Sequence, residues 1–277
     1  MIKQGFVSGM SNEVYHSIDA LSHSFMVTLL EWSPLHAITP RKETQALIDG
    51  QHFHTWGLEP ERAEKEYIIY PDDCLVGSGK GQRERKAEFD AEAGAKGLTI
   101  VKPDELQKFK CMAGAIHAHP EACKLLSNGE PELSGFWEDP ETGIWCKLRM
   151  DWINKPNHYL VDLKKTTDAR PHSFTRDAYK WGYDMEAFWY LYGTSIITGV
   201  EHRDFYFVAC EDREPWGVNV YKASEEFITE GGRRCSQARG IYLECKEKDE
   251  WPCYPNEIID LELPGWVKRK EQYNIFE

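Results

Sequence analysis

Two turn sequences, Asp139-Pro140-Glu141-Thr142-Gly143 and Asn154-Lys155-Pro156-Asn157, divide a stretch of strand-forming residues into three runs, over 133–137, 144–153 and 158–163. Loops this short return a chain antiparallel to itself, so the three runs are held to a meander. A long aromatic run over 174–197 then reads as helix, 202–209 and 216–221 as strands, and Ser224 to about Lys246 as a final helix. A meander, a helix and further strands, flanked by helices, indicate an α/β domain.

The first 60 residues read as helical and loop-rich. Ser22 and Ser24 can cap an apolar run over 25–30, which stops near Ser33-Pro34 because proline disfavours helix before it. A second helix spans 43–58, ends at Pro60 and carries His52 and His54. The loop Gly77-Ser78-Gly79-Lys80-Gly81 lacks the G-x-x-x-x-G-K-[ST] pattern and is rejected as a nucleotide site. A charged helix over 82–95 follows it. Pro103-Asp104-Glu105 opens another helix, running towards Leu126 and interrupted at Pro120. No linker or repeat is visible, so the chain reads as one domain over 1–277, with a helical part over 1–128 and a sheet core over 129–277.

Composition excludes some functions. Lys and Arg number 33 against 46 Asp and Glu, a net charge of −13, which argues against indiscriminate coating of nucleic acid. It leaves room for a DNA enzyme whose basic residues are concentrated in one channel. No apolar run approaches the roughly 18 residues of a membrane helix, and Met1-Ile2-Lys3-Gln4-Gly5 lacks the basic-then-apolar run of a secretory signal. The expectation is a cytoplasmic protein with no membrane partner, its eight cysteines reduced. Cys235, Cys245 and Cys253 are spaced too widely, with no C-x-x-C, for a strong metal or iron–sulfur reading.

The chemistry concentrates in Cys146-Lys147-Leu148-Arg149-Met150-Asp151 and Tyr159-Leu160-Val161-Asp162-Leu163-Lys164. Strand residues two apart share a face, so Asp162 and Lys164 point one way and Val161 and Leu163 into the core. Hairpin geometry sets Asp151 beside Asp162. Two carboxylates so placed repel unless a cation lies between them, and oxygen ligands favour Mg²⁺ or Mn²⁺. An adjacent lysine can then stabilise developing phosphate charge. An acid-x-Lys triplet alone is weak, since Glu84-x-Lys86 and Glu244-x-Lys246 also occur and read as solvated faces.

Asp151…Asp162-Leu163-Lys164 resembles the PD-(D/E)XK nuclease superfamily. The chain as a whole resembles the RecE-type exonucleases (exodeoxyribonuclease VIII-like) and their phage relatives. The shared motifs are Tyr15-His16, Leu21-Ser22-x-Ser24, Ser33-Pro34-x-His36, Gly50-x-x-x-His54-x-x-x-Leu58-Glu59-Pro60, Glu132-x-x-x-Phe136-Trp137, Cys146-Lys147-x-Arg149-x-Asp151, Asp162-Leu163-Lys164 and Gly182-Tyr183 leading to Tyr190. Several motifs in the same order are far more specific than any one.

The resemblance implies a PD-(D/E)XK nuclease-like mixed central sheet flanked by helices. It implies Mg²⁺-dependent digestion of double-stranded DNA from 5′ ends, leaving 3′ single-stranded overhangs for recombination with a strand-annealing partner. A homo-oligomeric ring enclosing the DNA would keep so acidic a chain bound. Asp151 and Asp162 would be metal ligands and Lys164 the catalytic lysine, with His54, Glu132 and the backbone carbonyl of Leu163 completing the metal shell. Glu186 and Tyr190 fall where the family has Gln-x-x-x-Tyr, one helical turn apart and therefore on one face. Lys80, Arg83 and Lys86, with Arg41 and Lys42, are the candidates for a basic DNA lining.

Three positions depart from the family pattern: Glu186 for Gln, Lys165 for a frequent Thr and Met150 for a frequent Pro. Glu186 motivates an alternative, a weak or silent DNA-end binding recombination protein; an endonuclease of the superfamily is a second. By themselves His54, beside Phe53 and Trp56, reads as a packed core histidine, His52 as structural, and the aromatic run 179–192 as packing. Arg149 reads as the partner of a buried carboxylate.

Overall fold

A computed structural model of the chain describes residues 3–40, 42, 44–77 and 79–263. In order, its elements are β1 (Gly5–Val7), α1 (Asn12–Ser17), α2 (His23–Glu31), α3 (Pro34–Ile38), α4 (Gln45–Leu58), α5 (Pro60–Glu66), β2 (Tyr67–Ile69), α6 (Asp72–Leu75), α7 (Lys80–Ala95) and β3 (Thr99–Val101). They continue through α8 (Pro103–Ala118), α9 (Pro120–Leu125), β4 (Glu130–Glu138), β5 (Trp145–Asn154), β6 (Tyr159–Thr166), α10 (Pro171–Lys180), α11 (Tyr183–Thr198), β7 (Asp204–Glu211), β8 (Val218–Lys222) and α12 (Glu225–Lys248).

The expected meander is β4-β5-β6. It sits inside a six-stranded sheet of order β1-β4-β5-β6-β7-β8. β6 and β7 run parallel and the other neighbours antiparallel, so the sheet is mixed. Both faces are covered. Leu148, Leu160, Phe205 and Phe207 pack with α2, α11 and α12 on one face, while Val161, Leu163 and Val208 pack with α4 and α8 on the other. Both cores draw on β6, whose alternating side chains feed one face and then the other.

Local signals set the ends. Ser22, Ser33 and Ser224 accept from the backbone N–H of Phe25, His36 and Phe227, capping α2, α3 and α12. The helix expected from Glu43 is capped by Thr44; Glu43 and Arg41 lie outside the described residues.

Three expectations need correction. The helical part over 1–128 is not wholly helical: β1 pairs with β4 at the sheet edge, and Leu21 bridges to Cys146, because a three-residue strand carries no pattern of its own. The single helix over 174–197 is two, broken at Trp181-Gly182. Gly182 adopts φ +74, and a Cβ there would meet Val27 of α2 at 2.6 Å; this long-range contact demands glycine. Tyr179 and Trp181, counted as packing, are exposed at that break.

Candidate active site

Regular alternation fails at one place in the sheet. Along β5, Met150 and Ile153 face the core under α11, but Trp152 faces the core under α4. The phase changes around Asp151. Opposite it on β4, Glu132 holds a left-handed backbone, φ +48, inside a strand, and the Glu132–Asp151 pair drops out of a β4–β5 register that is otherwise unshifted between Pro131↔Trp152 and Leu133↔Met150. Pairing of β5 with β6 ends at Trp152↔Val161. Freed from the ladder, Asp151 accepts a hydrogen bond from the Leu163 backbone N–H at 2.7 Å through Oδ2. A strained backbone conformation of this kind re-aims its side chain, and such conformations cluster at functional sites.

These irregularities turn Glu132 and Asp151 towards His54 of α4. His54 Nδ1 lies 3.2 Å from Asp151 Oδ1 and 3.9 Å from Glu132 Oε1. Its Nε2 is 3.0 Å from the Leu163 carbonyl oxygen, which can only accept, so Nε2 carries a proton. One ligand atom from each of His54, Glu132 and Asp151 lies within 4.8 Å of the other two, the one such group of three or more among the described residues. Burial opposes charge on His54, but Asp151 and Glu132 outweigh it and raise its pKa to about 9. Burial and then the Asp151 charge push Glu132 up to about 7. Asp151 itself is held below the usual carboxylate range: burial works against its charge, and His54 overrides it.

The donor chemistry fits a divalent cation. Two carboxylate oxygens and an imidazole nitrogen suit Mg²⁺ or Mn²⁺. The Nε2–H bond to Leu163 is the kind of outer contact that fixes the tautomer of a metal-binding histidine. It also gives the Leu163 carbonyl, assigned above to the metal shell, a different partner.

Asp162 and Lys164 stand apart from that group. Lys164 Nζ lies 2.6 Å from Asp162 Oδ2 and 2.7 Å from Glu186 Oε2, over the Tyr183 ring at 4.3 Å. Burial disfavours its charge, but the flanking carboxylates hold its pKa well above the ordinary lysine range. Asp151 and Asp162 are on adjacent strands as expected, yet the carboxylate of Asp162 is engaged by the lysine.

A cleft of ≈ 990 Å³ opens over this floor. His54, Glu132, Asp151, Glu186 and Tyr190 line it, whereas Asp162 and Lys164 lie behind it. Glu186 and Tyr190 share a face of α11, as their spacing requires. The basic side chains of the cleft are Arg62 and Arg149, outnumbered by acids that include Glu59 and Glu130.

Arg149 departs from expectation. Among the described residues it pairs with no carboxylate: it donates to Ser134 Oγ, the Met10 carbonyl and Asn12 Oδ1, and stacks over Tyr15 at 4.4 Å, so it builds the cleft wall from the N-terminal segment. The candidate DNA contacts Lys80, Arg83 and Lys86 are exposed on α7 and do not line the cleft. Lys80 lies 3.7 Å from Glu84, and Lys86 sits over the Tyr70 ring. Lys42 is exposed too. His52 is structural, bonded to the Tyr67 hydroxyl at 2.8 Å. The eight cysteines are free thiols, Cys235 and Cys245 buried and Cys253 exposed.

One cleft residue went unread in the sequence. His23, at the start of α2, faces Glu186 with Nδ1 4.0 Å from Oε1 and lies edge-on to Tyr190. Only the Ser22-x-Ser24 spacing around it marked the segment.

A family model described as "PDDEXK-like domain of unknown function (DUF3799)" matches residues 29–261. The crystal structure of a "putative exonuclease" from Eubacterium rectale aligns with 98% of this chain and 100% of its own, at TM-score 0.64 and 14% identity. At that identity the likeness shows the fold: a mixed sheet flanked by helices. The structure of SSO0001 aligns with 71% of this chain and 91% of its own, at TM-score 0.31 and 15% identity, too low to carry an argument. No curated protein matches the sequence. No helix among the described residues is long and apolar enough to cross a membrane.

Proposed function

Since the chain belongs to the PDDEXK-like family of domains (DUF3799), we propose that it is a nuclease that hydrolyses phosphodiester bonds with a divalent cation. More narrowly, it is a RecE-type exonuclease that uses Mg²⁺, with Mn²⁺ able to replace it, digests double-stranded DNA from 5′ ends and leaves 3′ overhangs for strand annealing. The observation that carries this reading is the paired defect at Glu132 and Asp151, which aims both carboxylates at His54 in one cleft.

His54, Glu132 and Asp151 would hold the cation, whose chemistry there would be to lower the pKa of a bound water and to polarise the phosphate. The chain's own groups do the rest. Leu163 holds His54 in the tautomer that leaves Nδ1 free to bind. Lys164, kept charged by Asp162 and Glu186, offsets the negative floor behind the scissile phosphate rather than serving as a base. The Tyr190 hydroxyl, pushed by burial well above the usual tyrosine pKa, stays protonated and can donate. Without a cation the acid-rich cleft repels the DNA backbone, which argues for a strict metal requirement.

Linear duplex labelled at either end, with closed circular duplex as control, tests the reading. Mg²⁺-dependent loss of the 5′ label from linear DNA, with circles intact, is expected; Asp151→Asn and Lys164→Ala should abolish it. Cut circles would make it an endonuclease. DNA ends bound but never cut, in Mg²⁺ or Mn²⁺, would leave the end-binding alternative.

A further inference from the structure

His23 sits between two elements of the cleft. Its Nε2 is 3.1 Å from the carbonyl oxygen of Gly182, the residue at which α10 and α11 part. A carbonyl only accepts, so Nε2 carries the proton and donates. A neutral ring then presents the Nδ1 lone pair to Glu186 Oε1 at 4.0 Å, beyond direct hydrogen-bond length. Glu186 is already engaged on its other oxygen by Lys164 at 2.7 Å. Two acceptors thus face each other at the cleft, at a spacing that a water donating one O–H to each would span. The groups facing His23 are Glu186, Lys164, Asp184 and Tyr190.

We propose that His23 Nδ1 and Glu186 Oε1 together hold and orient the water consumed in phosphodiester hydrolysis, making His23 a positioning residue of the reaction centre. This rests on the nuclease reading. Neutrality of the ring agrees with it: burial lowers the His23 pKa, outweighing the pull of Glu186, and Lys164 adds to the lowering. The pairing also gives Glu186 a use that a glutamine lacks, since a carboxylate can accept from Lys164 and from a water at once.

Two substitutions separate this role from a structural one. His23→Asn places an amide oxygen near the position of Nδ1 and gives up the Gly182 contact. His23→Gln reaches Gly182 with its amide N–H and gives up the acceptor near Glu186. Steady-state release of nucleotides from linear duplex should show kcat reduced about tenfold in His23→Gln, the worth of one hydrogen bond, with KM unchanged. His23→Asn should stay within about threefold of wild type, even though its melting temperature falls from loss of the Gly182 tie. A wild-type kcat in His23→Gln, or equal losses in both variants, overturns the proposal. Wild-type protein that releases no nucleotide in Mg²⁺ or Mn²⁺ removes the nuclease reading before any variant is made, and the inference with it.

Discussion

The cleft brings together two clusters of opposite design. At one, His54, Glu132 and Asp151 line the opening, with side chains 28%, 29% and 8% exposed, and carry more carboxylate than cation can neutralise. At the other, Asp162 and Lys164 lie behind the cleft, 4% and 14% exposed, and the lysine already sits between Asp162 and Glu186, which reaches it from the cleft wall. The first is poised to receive a cation from solvent. The second holds one covalently attached to β6. A single strand serves both, because Leu163 binds Asp151 and His54 through its backbone while its neighbours carry the sealed pair. Charge at the surface of the site is exchangeable, and charge behind it is fixed.

The largest effect should follow from breaking the fixed cluster. Lys164→Ala leaves two buried carboxylates facing each other without a partner, a change that typically costs about 3–5 kcal/mol. Urea unfolding should report that loss, and activity on linear duplex should drop by about 10³-fold. Lys164→Met, which keeps the packing on Tyr183, should lose as much activity. If either variant keeps both stability and activity, the sealed cluster is not a charge device.

The exchangeable cluster should respond to pH and metal instead. His54 and Glu132 have folded-state pKa values, about 9 and about 7, above their ordinary ones. Each therefore contributes stability to the metal-free protein that is complete below its ordinary pKa and fades as pH rises through the folded value. Melting temperature in a chelator should fall from pH 6 to 9. A cation must displace the His54 proton, so binding releases protons and apparent affinity rises over the same window. Mn²⁺ titration calorimetry in buffers of different ionisation heat measures that release; none at pH 7 would mean that His54 does not bind the ion. Stabilisation by Mn²⁺ should accordingly be larger at pH 8.5 than at pH 6.5.

What the sequence made legible was local. The turn at Asn154–Asn157 is short enough to force Asp151 and Asp162 onto neighbouring strands, and helical spacing alone puts Glu186 and Tyr190 on one face. The unread features depend on distant partners. Gly182 is held to glycine by its positive φ and by Val27, which leaves no room for a Cβ there. Arg149 finds the N-terminal segment rather than a carboxylate, since Asn12 and Met10 reach it through the pairing of β1. That Lys164 lies behind the cleft follows from helices covering both faces of β6, which alternation in one strand cannot reveal. The phase change at Asp151 contradicts alternation outright, so pattern reading erases the feature that defines the site.

That phase change offers the finest test of the difference between the clusters. Glu132 holds a conformation that disfavours an L-residue by about 1–2 kcal/mol, and its carboxylate is desolvated beside Asp151. Both penalties are present before any cation binds. Glu132→Gly relieves both, though a more flexible unfolded chain returns roughly 0.5–1 kcal/mol. Glu132→Gln relieves only the charge. In chelator at pH 8, where Glu132 is ionised in wild type, both variants should be at least as stable as wild type, the glycine variant by about 1 kcal/mol. Both should gain less from Mn²⁺ than wild type does. A variant less stable than wild type without metal would show that Glu132 belongs to the fold like the sealed cluster, and that the defect at Asp151 is packing rather than preparation for a cation.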